Sequence, residues 1–415
     1  MTSATRKISV FYIFFLFFDS LYGKEVDRLY RSGDFLGRGN AGMTAPAAED
    51  ALFYNPASIY KGEEYNDTNK TIFLSPNFVL SDNVQKLSDA GGDDQKLLNT
   101  LKDIVGEPVF LSFDSFSGYM TNRWGAGLLL NQHINLLVYK HHDQGGIETV
   151  SITGDQNTGI VSSYSQKLDF EGLNIGVTGK VIRRTSTLVD LTIADVDAIK
   201  NFDIGKYQNS GMGLGIDLAL LYQMPHAINP KFSFVIRDLG DTSFNGEEGK
   251  APVNSMGQTI NLGSSIDPQI FFPKTELYLD INDVLKREED NLLKSIHLGM
   301  KIQPFTFLGI NFGFNQGYSA ASVYYESNYF RMDIGSYGEE VGDYIAERPS
   351  RRYFMRISSH LTEDREHTSA PTTETKDSLK EGVEASESQT PVASEEEAIP
   401  PKPAPAPTAD EVDPK

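Results

Sequence analysis

The chain has 415 residues, no cysteine and a formal net charge of −20. Without thiols there is no disulfide, thiolate–metal or cysteine-nucleophile chemistry. The acidic balance, with no basic stripe anywhere, excludes the phosphate-neutralising surface that nucleic acid requires.

The first elements in chain order form an export signal over residues 1–23. Arg6 and Lys7 make a positive start, Val10 to Phe18 an apolar run, and Gly23 a small residue for cleavage. That run of nine is far below the ~20 residues that a membrane-crossing helix needs. No later run approaches such a length. Because lipid leaves only helices and closed barrels as spanning forms, any crossing by this chain must be made by strands.

Residues 24–70 are rich in Gly, Ala, Asn and Asp and carry little strand rhythm. Residues 71–361 carry it strongly. Leu308, Ile310, Phe312 and Phe314 alternate with Gly309, Asn311, Gly313 and Asn315, and Leu277, Leu279 and Ile281 alternate with polar neighbours. Successive side chains of a strand point to opposite faces, so each such segment has one apolar and one wet face. Further outward faces are expected at Leu173-Ile175-Val177-Val181, Met212-Leu214-Ile216-Leu218-Leu220, Phe232-Phe234-Ile236, Ile296-Leu298-Met300-Ile302, Phe330-Met332-Ile334 and Tyr353-Met355-Ile357.

Fifteen segments read as strands: 71–80, 109–120, 124–139, 147–155, 160–170, 172–184, 211–223, 230–239, 257–266, 274–283, 295–303, 306–316, 319–327, 329–337 and 351–360. Bacterial single-chain barrels have an even number, so about 14 strands are expected. The weakest pair, 147–155 and 160–170, is polar on both faces; it is either a hairpin outside the bilayer or one strand. The expected fold is an all-β, closed antiparallel transmembrane barrel. A soluble β-sandwich also alternates, but so many strands exceed its usual complement.

Tyr222, Tyr318, Tyr324, Tyr325, Tyr329, Tyr337 and Tyr353 lie near segment ends, where an interfacial girdle would place them. Asn229-Pro230 and Gln303-Pro304 read as short turns, whereas 81–108, 185–210 and 240–256 read as long polar loops. Leu188 to Asp203 has spacing compatible with a short helix, though a plain loop excursion is the simpler expectation.

Beyond Leu361 the composition changes. Residues 362–415 hold −9 of the −20 charges and end in a Pro-rich run, Pro400 to Pro407. Too little apolar surface remains to offset chain entropy, so a disordered acidic tail is expected. It could contact a periplasmic protein or the cell wall, or serve as a spacer.

The inward faces of the strands hold Lys180, Asp217, Arg237, Glu276, Asp280, Lys301, Arg331, Asp333, Arg352 and Arg356. Opposite charges on neighbouring strands can pair, giving a closed or gated lumen rather than a wide porin. Other chemistry finds no support in the sequence. His141-His142-Asp143 lacks partners at a metal-ligand spacing. His297 faces the lumen without a Gly-x-Ser-x-Gly elbow, and Gly211-Met212-Gly213-Leu214-Gly215 lacks the strand-to-helix context of a nucleotide loop. No cofactor, metal or enzymatic activity is expected.

One block is more specific. Residues 37–60 read Gly37-Arg38-Gly39-Asn40-Ala41-Gly42-Met43-Thr44-Ala45-Pro46-Ala47-Ala48-Glu49-Asp50-Ala51-Leu52-Phe53-Tyr54-Asn55-Pro56-Ala57-Ser58-Ile59-Tyr60. The small residues permit close packing in a confined lumen. Asn55 followed by Pro56 suits a helix start, with Asn as cap and Pro in the first helical position. The block resembles the amino-terminal signature of the FadL/TodX outer-membrane family and its PorV-like relatives, with a Gly-Met pair, an acidic-Ala segment and an aromatic-Asn-Pro-Ala run.

Weaker similarity continues at Leu173 to Lys180, Val235 to Gly240 and Leu308 to Phe314, so the resemblance covers about residues 33–360. It implies a plug or hatch over residues 24–70 in which Gly42, Met43, Asn55, Pro56 and Ala57 shape the fold. It implies too a barrel in the bacterial outer membrane, surrounded by its lipid, that takes up small hydrophobic molecules such as long-chain fatty acids. The shorter body and the acidic tail depart from the family pattern, and no substrate-pocket motif aligns. The alternative is a PorV-like barrel that transports nothing and docks a secretion or surface protein.

Overall fold

In the computed structural model the described residues are 28–62, 70–90, 94–141, 147–192, 203–250, 252–268, 274–287, 291–342 and 344–362. The expected signal and almost all of the acidic tail lie outside them.

Fourteen antiparallel strands close into one barrel. They are β1 Thr71–Ser81, β2 Val109–Met120, β3 Trp124–His141, β4 Ile147–Lys167, β5 Leu173–Thr192, β6 Gln208–Gln223 and β7 Lys231–Arg237. The second half comprises β8 Thr259–Ile266, β9 Lys274–Ile281, β10 Ile296–Phe305, β11 Leu308–Asn315, β12 Tyr318–Glu326, β13 Phe330–Glu340 and β14 Pro349–Thr362. Each pairs with its sequence neighbours, and β1 closes on β14 from Thr71↔Thr362 to Ser81↔Arg352. Closure leaves no strand edge unpaired around the ring, which is what hydrocarbon demands of a β-protein.

The alternation read from the sequence sets the two faces. Leu214 is 74% exposed, and Ile175, Val177, Phe232, Phe312 and Met355 are exposed with it, while Gly309, Asn311 and Asn315 are buried inside. An aqueous monomer would not carry so large an apolar exterior. At the end with the short turns, outward aromatic pairs form a belt: Tyr119 with Trp124, Phe170 with Tyr222, and Phe305, Phe307, Tyr325 and Phe330 in series. Short turns mark the periplasmic end of such barrels and longer loops the outer end. The barrel's first and last strand residues, Thr71 and Thr362, both lie at the short-turn end.

Several expectations need correction. The two segments at 147–155 and 160–170 are one 21-residue strand, β4, because unbroken ladders to β3 and β5 hold it on both sides. This removes the odd fifteenth strand. Pro304 lies within β10, not in a turn: the register shifts between Ile302 and Phe305, where a residue without an N–H is tolerated, and the chain reverses at Thr306-Phe307. Leu188 to Thr192 extend β5, with Leu188 paired to Thr153, and 193–202 lie outside the described residues.

The 81–108 connection is not plain loop. It holds helices Asn83–Ala90 and Asp94–Asp103, which bury Leu101 and Ile104 against Val109, Val138 and Val150. Tyr324 and Tyr337 are fully buried and face the lumen, and Tyr318 turns to Glu340, so these three are not girdle residues.

The wall is uneven. Strands β3, β4 and β5 run for 18, 21 and 20 residues, whereas β7, β8 and β9 have 7, 8 and 8.

Candidate functional site: the plugged lumen

Residues 28–62 fill the barrel. Their contacts reach strands all around the ring: Asn77 on β1, Ser165 on β4, Thr178 on β5, Ser265 on β8, Asp280 on β9, Arg331 on β13 and Arg356 on β14. The segment is built from short pieces, a helix Gly33–Gly37, a helix Ala51–Tyr54 and a 3₁₀ turn Pro56–Ser58. Only part of its backbone bonds along the chain, so side chains and the wall must satisfy the other groups.

Glycines make the close fit possible. Gly39, at φ +69°, lies against β10 and β11, and a Cβ there would stand 2.5–2.7 Å from the backbone of Phe314 and Leu298. From the wall side, a Cβ on Gly313 would stand 2.3 Å from the Arg38 carbonyl carbon, and one on Gly176 2.3 Å from Ala57 N. These are backbone-to-backbone approaches that only glycine permits.

The five motif residues meet through hydrogen bonds. The backbone N–H groups of Gly42 and Met43 donate to Asp280 at 2.7 and 2.9 Å. The Asn55 side chain donates to the Met43 carbonyl at 2.8 Å and accepts from the Ala57 N–H at 3.1 Å, capping the turn that Pro56 opens. Ser165 on the wall then donates to the Ala57 carbonyl. Replacing Asn55, which is fully buried, by Ala strands the Met43 carbonyl and the Ala57 N–H. A loss of about 1–3 kcal/mol in plug stability is expected, measured as faster amide exchange across residues 42–58 with the barrel strands unchanged.

Two charge clusters anchor the plug. Arg356 donates to Glu49 at 2.6 Å, to both Asp50 oxygens at 3.0 Å and to Ser32 at 2.8 Å. Glu49 also accepts from Ser75 and Ser358 and contacts His360 at 3.0 Å. On the next strand Arg331 bridges Asp34 of the plug and Asp333 of the wall, and Arg38 joins Asp34 at 2.7 Å. Burial raises the pKa of Asp34, but Arg331 and Arg38 outweigh it and hold the carboxyl well below its ordinary range. Burial pushes Asp50 up to about 6 against the pull of Arg356.

The wall's inward charges therefore pair only in part across strands. Lys180 and Asp217 do, at 2.7 Å between β5 and β6, with Asp238 on the same ammonium. Arg331, Arg356 and Asp280 instead turn to the plug, and Arg237 lies over the Tyr54 ring of the plug at 5.4 Å. Arg352 stacks on Phe110, and Lys301 stands over Tyr324. The partners that sequence reasoning missed are Asp34, Arg38, Glu49 and Asp50. His297 contacts the Gly39 carbonyl, not a serine. Among the described residues no group of three acidic or histidine side chains could hold a metal.

The plug divides the lumen. Toward the long loops is a recess with about 100 Å³ of free space. Leu29, Tyr30, Met43, Phe53, Tyr54 and Met256 give it an apolar side, and Lys180, Asp217 and Arg237 a charged one. Toward the short turns is a polar vestibule of about 870 Å³, lined by Glu276, Lys301, Gln303 and Thr306 among others.

No protein-family model matches the sequence, and no curated protein does. Solved structures similar to this one include the Pseudomonas putida toluene transporter TodX, at 12% identity over 82% of this chain and 98% of that one, with a TM-score of 0.41. The Ralstonia pickettii toluene transporter TbuX is similar at 10% identity over 80% and 97%, with a TM-score of 0.47. A Pseudomonas aeruginosa FadL homologue is similar at 10% identity over 82% and 98%, with a TM-score of 0.33.

Proposed function

We propose that this chain is a bacterial outer-membrane channel of FadL/TodX type that passes small hydrophobic molecules inward, and that residues 28–62 are its gate. The observation that carries the reading is the division of the lumen: an outer recess with an apolar side, an inner vestibule, and a plug between them held by ionic latches instead of covalent ones. A cavity of ~150 Å³ accepts a single aromatic ring. The recess of about 100 Å³ is smaller than this, so a small alkyl aromatic enters once the lining side chains give way. A long fatty acyl chain needs the plug to move first.

The latches suit a gate. Breaking a buried ion pair in place is costly, yet both partners regain water when the plug swings into an aqueous vestibule. The acidic tail then serves as a spacer or tether.

Uptake of radiolabelled toluene and of a labelled long-chain fatty acid, compared between producing cells and cells lacking the gene, tests the reading. Faster uptake of at least one compound in the producing cells is expected, with the aromatic favoured. Equal uptake of both removes it, and leaves a docking barrel that transports nothing.

A further inference from the structure

The short strands pose a problem of height. A strand of 7 or 8 residues, such as β7, β8 or β9, rises ~3.3 Å per residue and tilts by ~40°. It therefore spans roughly 18–20 Å of an apolar band that is ~25 Å tall. On this side the regular wall ends before the hydrocarbon does.

The neighbouring strand shows where the hydrocarbon ends. The outward face of β6 stays apolar upward through Ile216, Leu214 and Met212, all at least half exposed. The first outward charge at that height is Arg183, paired with Met212 across the β5–β6 ladder. The Leu239 N–H bonds to the Ile216 carbonyl, so the chain leaving β7 sits below this limit.

Next to the ends of the short strands stand five exposed apolar side chains. Leu239 after β7, Val284 and Leu285 after β9, and Leu292 and Leu293 before β10 are 39–61% exposed. Lys286 and Arg287 follow at once, as cationic groups do where chains leave the acyl layer for the headgroups.

Irregular backbone in lipid must find its own hydrogen-bond partners. Here it does. The N–H groups of Leu239, Asp241, Asn282, Val284, Lys286 and Lys294 donate to backbone carbonyls, and those of Asp238, Gly240, Asp283 and Leu293 to side chains of Asp217, Gln258, Asn261 and Asn291.

We propose that these connections are an interaction surface for the acyl chains of the outer leaflet: the segments around Leu239, Val284-Leu285 and Leu292-Leu293 are embedded in the hydrocarbon and complete the wall above β7–β9. The outer recess, whose lining includes Asp238, Asn282, Asp283 and Lys294, then lies behind lipid-covered loops and not behind a water-covered rim.

The absence of cysteine makes the test clean. Full-length protein carrying Leu285→Cys or Leu293→Cys, labelled with an environment-sensitive fluorophore, is reconstituted into vesicles whose lipids bear bromine on the acyl chains. Leu279→Cys, mid-strand and outward, reports hydrocarbon. Leu188→Cys, high on the tall β5, reports water. The expected result is a loss of emission at 285 and 293 matching that at 279, with little quenching by aqueous iodide. Labels at 285 and 293 that are quenched by iodide and not by bromine, as at 188, overturn the inference. The inference rests on the barrel standing in a bilayer, and the control separates the two failures: without bromine quenching at 279, the membrane reading itself is lost.

Discussion

Replacing Arg356 by Ala is expected to unseat the plug. The guanidinium is fully buried and is the cation between Glu49 and Asp50, which are buried as well. Removing one partner of a buried ionic cluster costs about 3–5 kcal/mol, because the carboxylates left behind are buried with only His360, beside Glu49, in the place of the guanidinium. At ~1.4 kcal/mol per tenfold, the population of the unseated plug rises by roughly 10² to 4 × 10³. The ladders of β14 to β13 and β1 do not involve the Arg356 side chain, so the barrel persists. Conductance in planar bilayers should therefore appear or rise steeply in the variant, while resistance of the folded barrel to SDS stays near that of the parent. An Arg356→Ala channel as silent as the parent, with unchanged amide exchange in residues 28–62, removes this cluster as a latch.

Gly313→Val is expected to act on the same plug by a different force. A Cβ at 313 would stand 2.3 Å from the Arg38 carbonyl carbon and 2.5 Å from its oxygen. Both partners are backbone, so no flexible side chain can move aside, and over-packing of this kind costs about 1–3 kcal/mol or more. Valine itself fits a strand well. The plug gives way before the wall does. Amide exchange should accelerate around Arg38 to Ala41, with the β10–β11 and β11–β12 ladders still protected. Leu298→Val, on the outward face of β10, is the matched control and should leave the plug as it was. Ladder loss in Gly313→Val with the plug still protected contradicts the assignment of Gly313 as a seat.

The barrel was legible because lipid and lumen impose a strict period of two on every crossing strand. Segments such as Leu308 to Asn315 therefore declare both their existence and their faces. Where that constraint lapses, so does the signal. The upper part of β4, around Thr149 to Thr158, reads polar on both sides because it belongs to the tall part of the wall, beyond the band that imposes alternation. Tyr324 resembles a girdle residue in composition, but its parity places it inward over Arg331 at 4.0 Å. Parity decides between the two, and it was readable from Val323 and Tyr325.

The plug was harder to read. The Asn55-Pro56 cap is a local device, and local devices survive in sequence. The pairing of Arg356 with Glu49 and Asp50 joins positions some 300 residues apart, with no spacing rule to connect them. The same holds for Asp34 with Arg331. A single sequence showed that the inward face carried charges of both signs, and not that a non-strand segment would supply their partners. The helices over Asn83–Ala90 and Asp94–Asp103 were hidden for a third reason. Their apolar residues, including Val84, Leu87, Leu97 and Leu101, are diluted by Asp, Lys, Gln and Asn, so composition alone suggests a polar loop.

A membrane barrel kept shut by its own amino-terminal segment has a distinct electrical signature. Electrical recording from purified full-length protein in a planar bilayer, beside a form lacking residues 28–62, addresses this most directly. The full-length protein should insert without porin-sized conductance steps, and the shortened form should open in large, long-lived ones. Large steady steps from the full-length protein, equal to those of the shortened form, would contradict it.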